Sequence, residues 1–344
     1  MQTIAVANHK GGTGKTATTH NLGVVLAREY GLRVLLVDTD PQASLTGSCG
    51  VQDEMAPQET AGRTRFLKQV FSLAEVLGGA KPGHVTMKDV LVDLGDNLWI
   101  CPSDAALAAT AVGLAARLQR EYVLKKALAT VAQDYDVCLV DCPPDQGLLT
   151  VNALSAAQAV IVPAQPTAQD LRGLVLFVET IKSIQAEINL ELAFLGILLT
   201  FYDARLRHHK EQVEQMEKAG LPVLPVAIGR SVRVAEAAGA CQPVFTYARR
   251  HPEAEHYLAL AQLVAARLAL PCKTLSEPPA ETESSLTVDE PTPNYTTNQL
   301  SNYYKRRWNN GNHHYIRDPA HRDRDCIAVA TGLAAQEFAR ANRD

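Results

Sequence analysis

Lys10-Gly11-Gly12-Thr13-Gly14-Lys15-Thr16 constrains this chain more than any other stretch. Before it runs Thr3–Asn8, apolar and partly β-branched, which reads as a buried strand. After it, Gly14–Tyr30 carries Leu22, Val25 and Leu26 on one face at helical spacing. A glycine-rich turn between a strand and a helix is the setting of a phosphate-binding loop. Glycines let the backbone curl until successive N–H groups face one anion, and the helix N-terminus adds its partial positive charge. Gly11, Gly12, Thr13, Gly14, Lys15, Thr16 and Ala17 are therefore expected to cradle phosphate. Lys15 would reach the β- and γ-phosphates of a nucleotide, and the Thr16 hydroxyl would ligate Mg2+. The common G-x-x-x-x-G-K-[ST] form does not fit, because His9 stands where its first glycine would fall. What fits is K-G-G-x-G-K-[ST], with an extra lysine, Lys10, at its start.

The same alternation continues for about 270 residues. Arg33–Asp38, Leu98–Cys101, Val137–Asp141, Ala159–Pro163, Phe194–Thr200 and Pro225–Ile228 read as short buried strands. Helical patterns fall at Gln169–Ile188, His208–Ala219 and Glu253–Leu268, and Asp104 is placed to cap a long Ala/Leu-rich helix to Ala132. Continuous apolar runs alternating with amphipathic helices predict an α/β fold, a mostly parallel twisted sheet covered by helices on both faces. Residues 271–300 are Pro- and acid-rich and read as a linker, and 301–344 as a largely disordered basic-aromatic extension with a short helix at Ala328–Ala341. Tyr303, Tyr304, Lys305, Arg306, Arg307 and Trp308 in that extension suit a nucleic-acid or partner tether, and equally a solvated tail with no ligand.

Composition narrows the classes further. At 47% hydrophobic and 20% charged the chain is neither disordered nor fibrous, and a net charge of -4 excludes a uniformly basic coat. No signal-peptide pattern opens the sequence, and no run approaches the ~18 apolar residues of a membrane span. Seven cysteines without a CxxC pair argue against zinc and for a reducing cytoplasm.

The loop resembles the deviant Walker A motif of the ParA/MinD group of P-loop ATPases, and the resemblance extends well past it. Val37-Asp38-Thr39-Asp40-Pro41-Gln42 is similar to the switch I motif of ParA proteins, and Leu139-Val140-Asp141-Cys142-Pro143-Pro144 to the Walker B strand entering switch II. Gly147–Leu154, Gly196–Arg205 and Pro243-Val244-Phe245 sit where that family has similar strings. The match spans residues 1–270 and implies a P-loop NTPase fold, ATP and Mg2+ as cofactors, and slow, partner-stimulated hydrolysis. Asp38 and Asp141, at strand ends, suit a hard cation held through its waters. Asp40, two residues beyond Asp38, shares its face if the segment is extended, and the resemblance makes it the group that orients the attacking water. In relatives the signature lysine, here Lys10, crosses a nucleotide-sandwich homodimer into the partner's site.

Three departures stand out. Ala17 lacks the hydroxyl that relatives often carry, Asp145 replaces a serine in switch II, and Gly229 stands where relatives usually have proline. Arg205, Arg207, Arg230 and Arg233 are candidates for a face that binds DNA without sequence preference. The resemblance thus predicts a cytoplasmic, nucleoid-associated ATPase that partitions DNA with a ParB-like partner. Positioning of a protein cargo and a non-hydrolysing regulatory role are its alternatives. The Ala-rich end, with no lysine and one aromatic, Phe338, speaks against a MinD-like membrane helix. No glycine-rich cysteine loops of the nitrogenase iron protein kind surround Cys101 or Cys142.

Overall fold

The computed structural model describes residues 1–53, 65–67, 71–78 and 85–271. The predicted linker beyond Pro271 and the extension at 301–344, with its helix, lie outside them. Strands are β1 (Gln2–Val6), β2 (Val34–Asp38), β3 (Val51–Asp53), β4 (Arg65–Leu67), β5 (Val92–Gly95), β6 (Leu98–Cys101), β7 (Val137–Asp141), β8 (Ala159–Ala164), β9 (Ala193–Tyr202) and β10 (Val223–Gly229). Helices are α1 (Lys15–Tyr30), α2 (Ser44–Ser48), α3 (Leu73–Gly78), α4 (Met87–Val90), α5 (Ala106–Leu114) and α6 (Val123–Ala129). They continue with α7 (Leu148–Ala156), α8 (Ala168–Glu187), α9 (Arg207–Lys218), α10 (Val232–Gly239), α11 (Val244–Tyr247) and α12 (Pro252–Arg267).

Eight strands form one sheet in the order β10-β9-β8-β1-β7-β2-β6-β5, and β3 pairs with β4 separately. Every pairing in the large sheet is parallel except β5 with β6. Strand residues alternate between two apolar layers. Ala5, Leu35, Cys138 and Val140 join a core with residues of α5 to α8, while Ile4, Leu36, Leu139 and Ile161 join a core with residues of α1 and α12. The sheet is thus buried on both faces, which is why its strands read as continuous apolar runs. Among the described residues, no helix is long and apolar enough to cross a membrane.

Two local expectations need correction. The long helix expected to Ala132 breaks into α5, a 3-10 turn at Arg120–Tyr122, and α6. Gln119 takes a left-handed φ of 54°, and Asn152 of α7 fixes the break. Its amide donates to the Arg120 carbonyl at 2.8 Å, and its Oδ1 accepts from the Leu124 N–H at 3.1 Å. Asp104 does accept from the Ala106 N–H, at 2.8 Å. The antiparallel edge strand β5 was not expected; it turns into β6 through Asp96 and Asn97, both left-handed at φ 51° and 60°.

Candidate nucleotide and metal site

Strand register builds the site. Val6 pairs with Asp141 across β1 and β7, and Asp141 pairs with Asp38 across β7 and β2. The last residue of β1 therefore lies in one row with both carboxylates, and the glycine loop leaves from that row. Gly12 and Gly14 adopt left-handed φ of 70° and 84°, the second at the N-cap of α1. An L side chain is strained in this conformation, which accounts for glycine at both.

Three side chains brace the loop, Asn8 at its start and Gln165 and Thr200 from distant strand ends. Asn8 donates to the Pro163 carbonyl at 2.7 Å and accepts from the Lys10 N–H at 3.1 Å. Gln165 donates to the Gly12 carbonyl at 2.9 Å, and Thr200 to the Thr13 carbonyl at 2.9 Å. Among the described residues the N–H groups of Gly11, Gly12, Thr13 and Gly14 find no acceptor. The Lys15 ammonium, buried, donates to the Lys10 carbonyl at 2.9 Å. Burial pushes Lys15 below the usual lysine range, and the charges of Asp141 and its neighbours oppose that shift. Unclaimed amides at a helix N-terminus beside a desolvated cation are a cradle that fits phosphate.

The metal side is acidic and buried. Asp141 Oδ2 accepts from the Thr16 hydroxyl at 2.7 Å, and Oδ1 from the Thr19 hydroxyl at 3.3 Å. Asp38 accepts from the Asp40 N–H at 3.1 Å and from both the N–H and hydroxyl of Thr46 at 2.8 Å. Both carboxyls are raised above the ordinary range, chiefly by burial, and each is pushed further by a neighbouring carboxylate. A divalent cation would relieve that cost. No group of three or more His, Cys, Asp or Glu with metal-site geometry occurs among the described residues. Mg2+ dehydrates reluctantly and is held by few protein groups together with phosphates and water.

The predicted residues divide between two places. Lys15, Thr16, Asp38, Asp40 and Asp141 interact around the row, while Lys10 and Ala17 flank them along the loop and α1, the Lys10 ammonium on Asp170. Asp40, however, does not continue an extended segment from Asp38. It lies past the end of β2, in a turn where its Oδ1 accepts from the Gln42 N–H at 2.9 Å. Asp145 precedes α7 in a turn, accepting from the N–H of the Gly147 N-cap at 2.8 Å. Arg205, Arg207, Arg230 and Arg233 follow β9 and β10, neighbouring parallel strands, and so share the C-terminal rim at one sheet edge. Arg205 pairs with Asp203, Arg207 with Glu211 and Arg233 with Glu236, while Arg230 lies over the Phe201 ring at 5.6 Å. These ion pairs are exposed and hold their arginines only weakly. Thr46, which anchors Asp38, and Asp170, which pairs with Lys10, escaped sequence reasoning.

Comparisons with known proteins agree with this geometry. Residues 1–194 match the family model described as an AAA domain. The chain is 38% identical to the sporulation initiation inhibitor protein Soj of Bacillus subtilis, over 76% of this chain and 98% of that protein. It is 37% identical to the chromosome partitioning protein ParA of Caulobacter vibrioides, over 78% and 95%. Among solved structures, cobyrinic acid a,c-diamide synthase from Mycobacterium smegmatis with bound ATP analog and magnesium superposes at a TM-score of 0.65 with 34% identity. That match covers 80% of this chain and 100% of the other. A P-loop sheet, a deviant phosphate loop and similarity to Soj and ParA over 76% and 78% of the chain lead to one assignment: the chain belongs to the Soj/ParA family of ATPases, with ATP and Mg2+ as its cofactors.

Proposed function

We propose that this ATPase partitions plasmid or chromosomal DNA by cycling between an ATP-bound sandwich homodimer that holds DNA and a released state formed on hydrolysis. The observation that carries the reading is the single row of Val6, Asp141 and Asp38 beside the loop. In this reading the loop amides and Lys15 bind the phosphates. Thr16 would ligate Mg2+ directly, and Asp38 and Asp141 would hold it through its waters. The ion would supply charge neutralisation at the phosphates. Asp40 orients the attacking water. Lys10 crosses to the partner's phosphates, as a cation supplied in trans. No strong base is built in, so turnover is slow until a ParB-like partner stimulates it.

The arginine rim supports the DNA step. Arg205 and Arg230, in the turns after β9 and β10, and Arg207 and Arg233, in the first turns of α9 and α10, share one edge, where attraction to phosphates requires no base reading. Partner similarity supports the cargo: the named relatives are a chromosome partitioning protein and Soj. The test is retention on duplex DNA with ATP against ADP. ATP should give retention and ADP little, and Lys15→Ala should lose the difference together with nucleotide binding. Equal retention with either nucleotide overturns the cycle. Asp40→Ala should bind ATP and remain dimeric; wild-type turnover in that variant removes the water-orienting role.

A further inference from the structure

Lys10 does not hang free at the start of the loop. Its ammonium pairs with the carboxylate of Asp170, in the first turn of α8. The Asp170 side chain is 3% exposed and that of Lys10 35%. Thr167 is the N-cap of α8 and its hydroxyl accepts from the Asp170 N–H at 3.2 Å, one half of a capping box. In the full motif the acid at this position accepts from the N-cap's own N–H. Elsewhere this chain does so: Asp89 accepts from the Thr86 N–H at 2.7 Å, and Glu75 from the Ser72 N–H at 2.6 Å.

Asp170 leaves the box half made. The Thr167 N–H goes instead to the Gln165 carbonyl at 2.9 Å. Asp170 Oδ1 turns to Lys10, and its buried Oδ2 has no partner among the described residues. Next to Lys10, His9 is seated on the same helix. Its ring lies 5.8 Å from that of Phe177, and a Cβ on Gly173 would come within 2.4 Å of its Nε2. The first turns of α8 thus grip both residues that open the phosphate loop.

One ammonium cannot neutralise Asp170 and a partner's phosphate together. Its departure leaves a buried carboxylate with neither oxygen compensated, which is strongly unfavourable. We propose that Asp170 is a positioning residue that holds Lys10 in cis and thereby sets how readily the ATP-bound protein pairs. This rests on the trans role of Lys10 stated above. Apparent affinity scales with the fraction of molecules whose Lys10 is free, so weakening the hold strengthens dimerisation without touching the interface.

The test combines two readouts on the full chain. Light scattering across protein concentration, with a slowly hydrolysed ATP analogue, gives the dimerisation midpoint. Mass-spectrometric acylation of lysines without nucleotide gives the freedom of Lys10. Asp170→Asn should lower the midpoint about tenfold and speed acylation of Lys10 relative to exposed Lys125. Lys10→Ala should not dimerise, and adding Asp170→Asn to it should change nothing. A wild type that fails to pair with ATP overturns the sandwich reading and leaves acylation to judge the hold. A dimerising wild type with unchanged midpoint or unchanged Lys10 acylation in Asp170→Asn overturns the hold. If Asp170→Asn does not fold, acylation of wild-type Lys10 as fast as Lys125 overturns it equally.

Discussion

Burial and the neighbouring Asp38 carboxylate oppose charge on Asp141, and the Thr16 hydroxyl and Lys15 only partly offset them. Asp141 is buried beside Asp38, and its hydrogen-bond donors are two neutral hydroxyls. Its folded-state pKa lies above the unfolded value, so the native state binds the extra proton in the window above the ordinary carboxylate range. Stability therefore falls as pH rises through that window. Asp141→Asn should stabilise the nucleotide-free protein at pH 8 by about 1–3 kcal/mol. The gain should shrink toward acid pH, where the wild-type carboxyl is itself neutral, and Mg2+-dependent nucleotide affinity should fall. Urea unfolding at several pH values checks this, and a less stable variant at pH 8 contradicts it. Lys15, Thr16, Asp38 and Asp141 were legible because a strand end or a loop motif marks each. Asp170 was not, since Thr-x-x-Asp reads locally as a helix cap and its true partner lies 160 positions away. Thr46 carries no motif at all, and only the fold brings its hydroxyl to Asp38.

Between elements, the departure at Gly229 has a partner. The Gly229 N–H donates to Glu253 Oε2 at 2.9 Å, joining the end of β10 to the start of α12. His256 Nδ1 lies 3.0 Å from the same oxygen, and a Cβ on Gly229 would approach Glu253 Oε1 to 2.5 Å. Proline, the usual residue of relatives at this position, has no N–H to give and a ring that needs the space. Gly229→Pro should cost about 1–3 kcal/mol, because it leaves a buried carboxylate short of a donor. Glu253→Ala should recover much of that loss in the double variant. Thermal unfolding of the four proteins measures the coupling, and additive losses would refute it. The expected strands of the large sheet and the expected helices around α1, α8, α9 and α12 fall within two residues of those observed, as with Val137–Asp141 and Leu98–Cys101, whereas α2, α3, α4, α7, α10, α11 and the β3–β4 pair were not read. Nor was the break after α5, because Ala-rich sequence is helical in itself and Asn152 acts from another helix. The hairpin from β5 to β6 left a signal in Asp96-Asn97, a polar pair suited to two left-handed positions, which was passed over.

For the whole molecule, the sheet order sets the nucleotide row and the arginine rim apart. Arg205, Arg230 and Arg233 follow the two strands at one edge, whereas β1, β7 and β2 lie inside. Replacing the three arginines with glutamate should weaken DNA binding about equally for all sequences and flatten its salt dependence. Each phosphate contact carries a log–log slope of roughly -0.9. An unchanged slope would remove this rim as the DNA face, while ATP turnover without DNA should persist. The order β10-β9-β8-β1-β7-β2-β6-β5 has one more consequence, visible in amide hydrogen exchange. An amide in β1 opens only if strands on both sides let go, so its deuterium uptake should report global unfolding. Amides of β10, bonded to a neighbour on one side alone, should exchange through cheaper local openings. The rim that would meet a long polymer can then breathe and adapt its shape while the nucleotide row keeps its register. Equal protection factors in β10 and β1 would show instead that the molecule yields only as one piece.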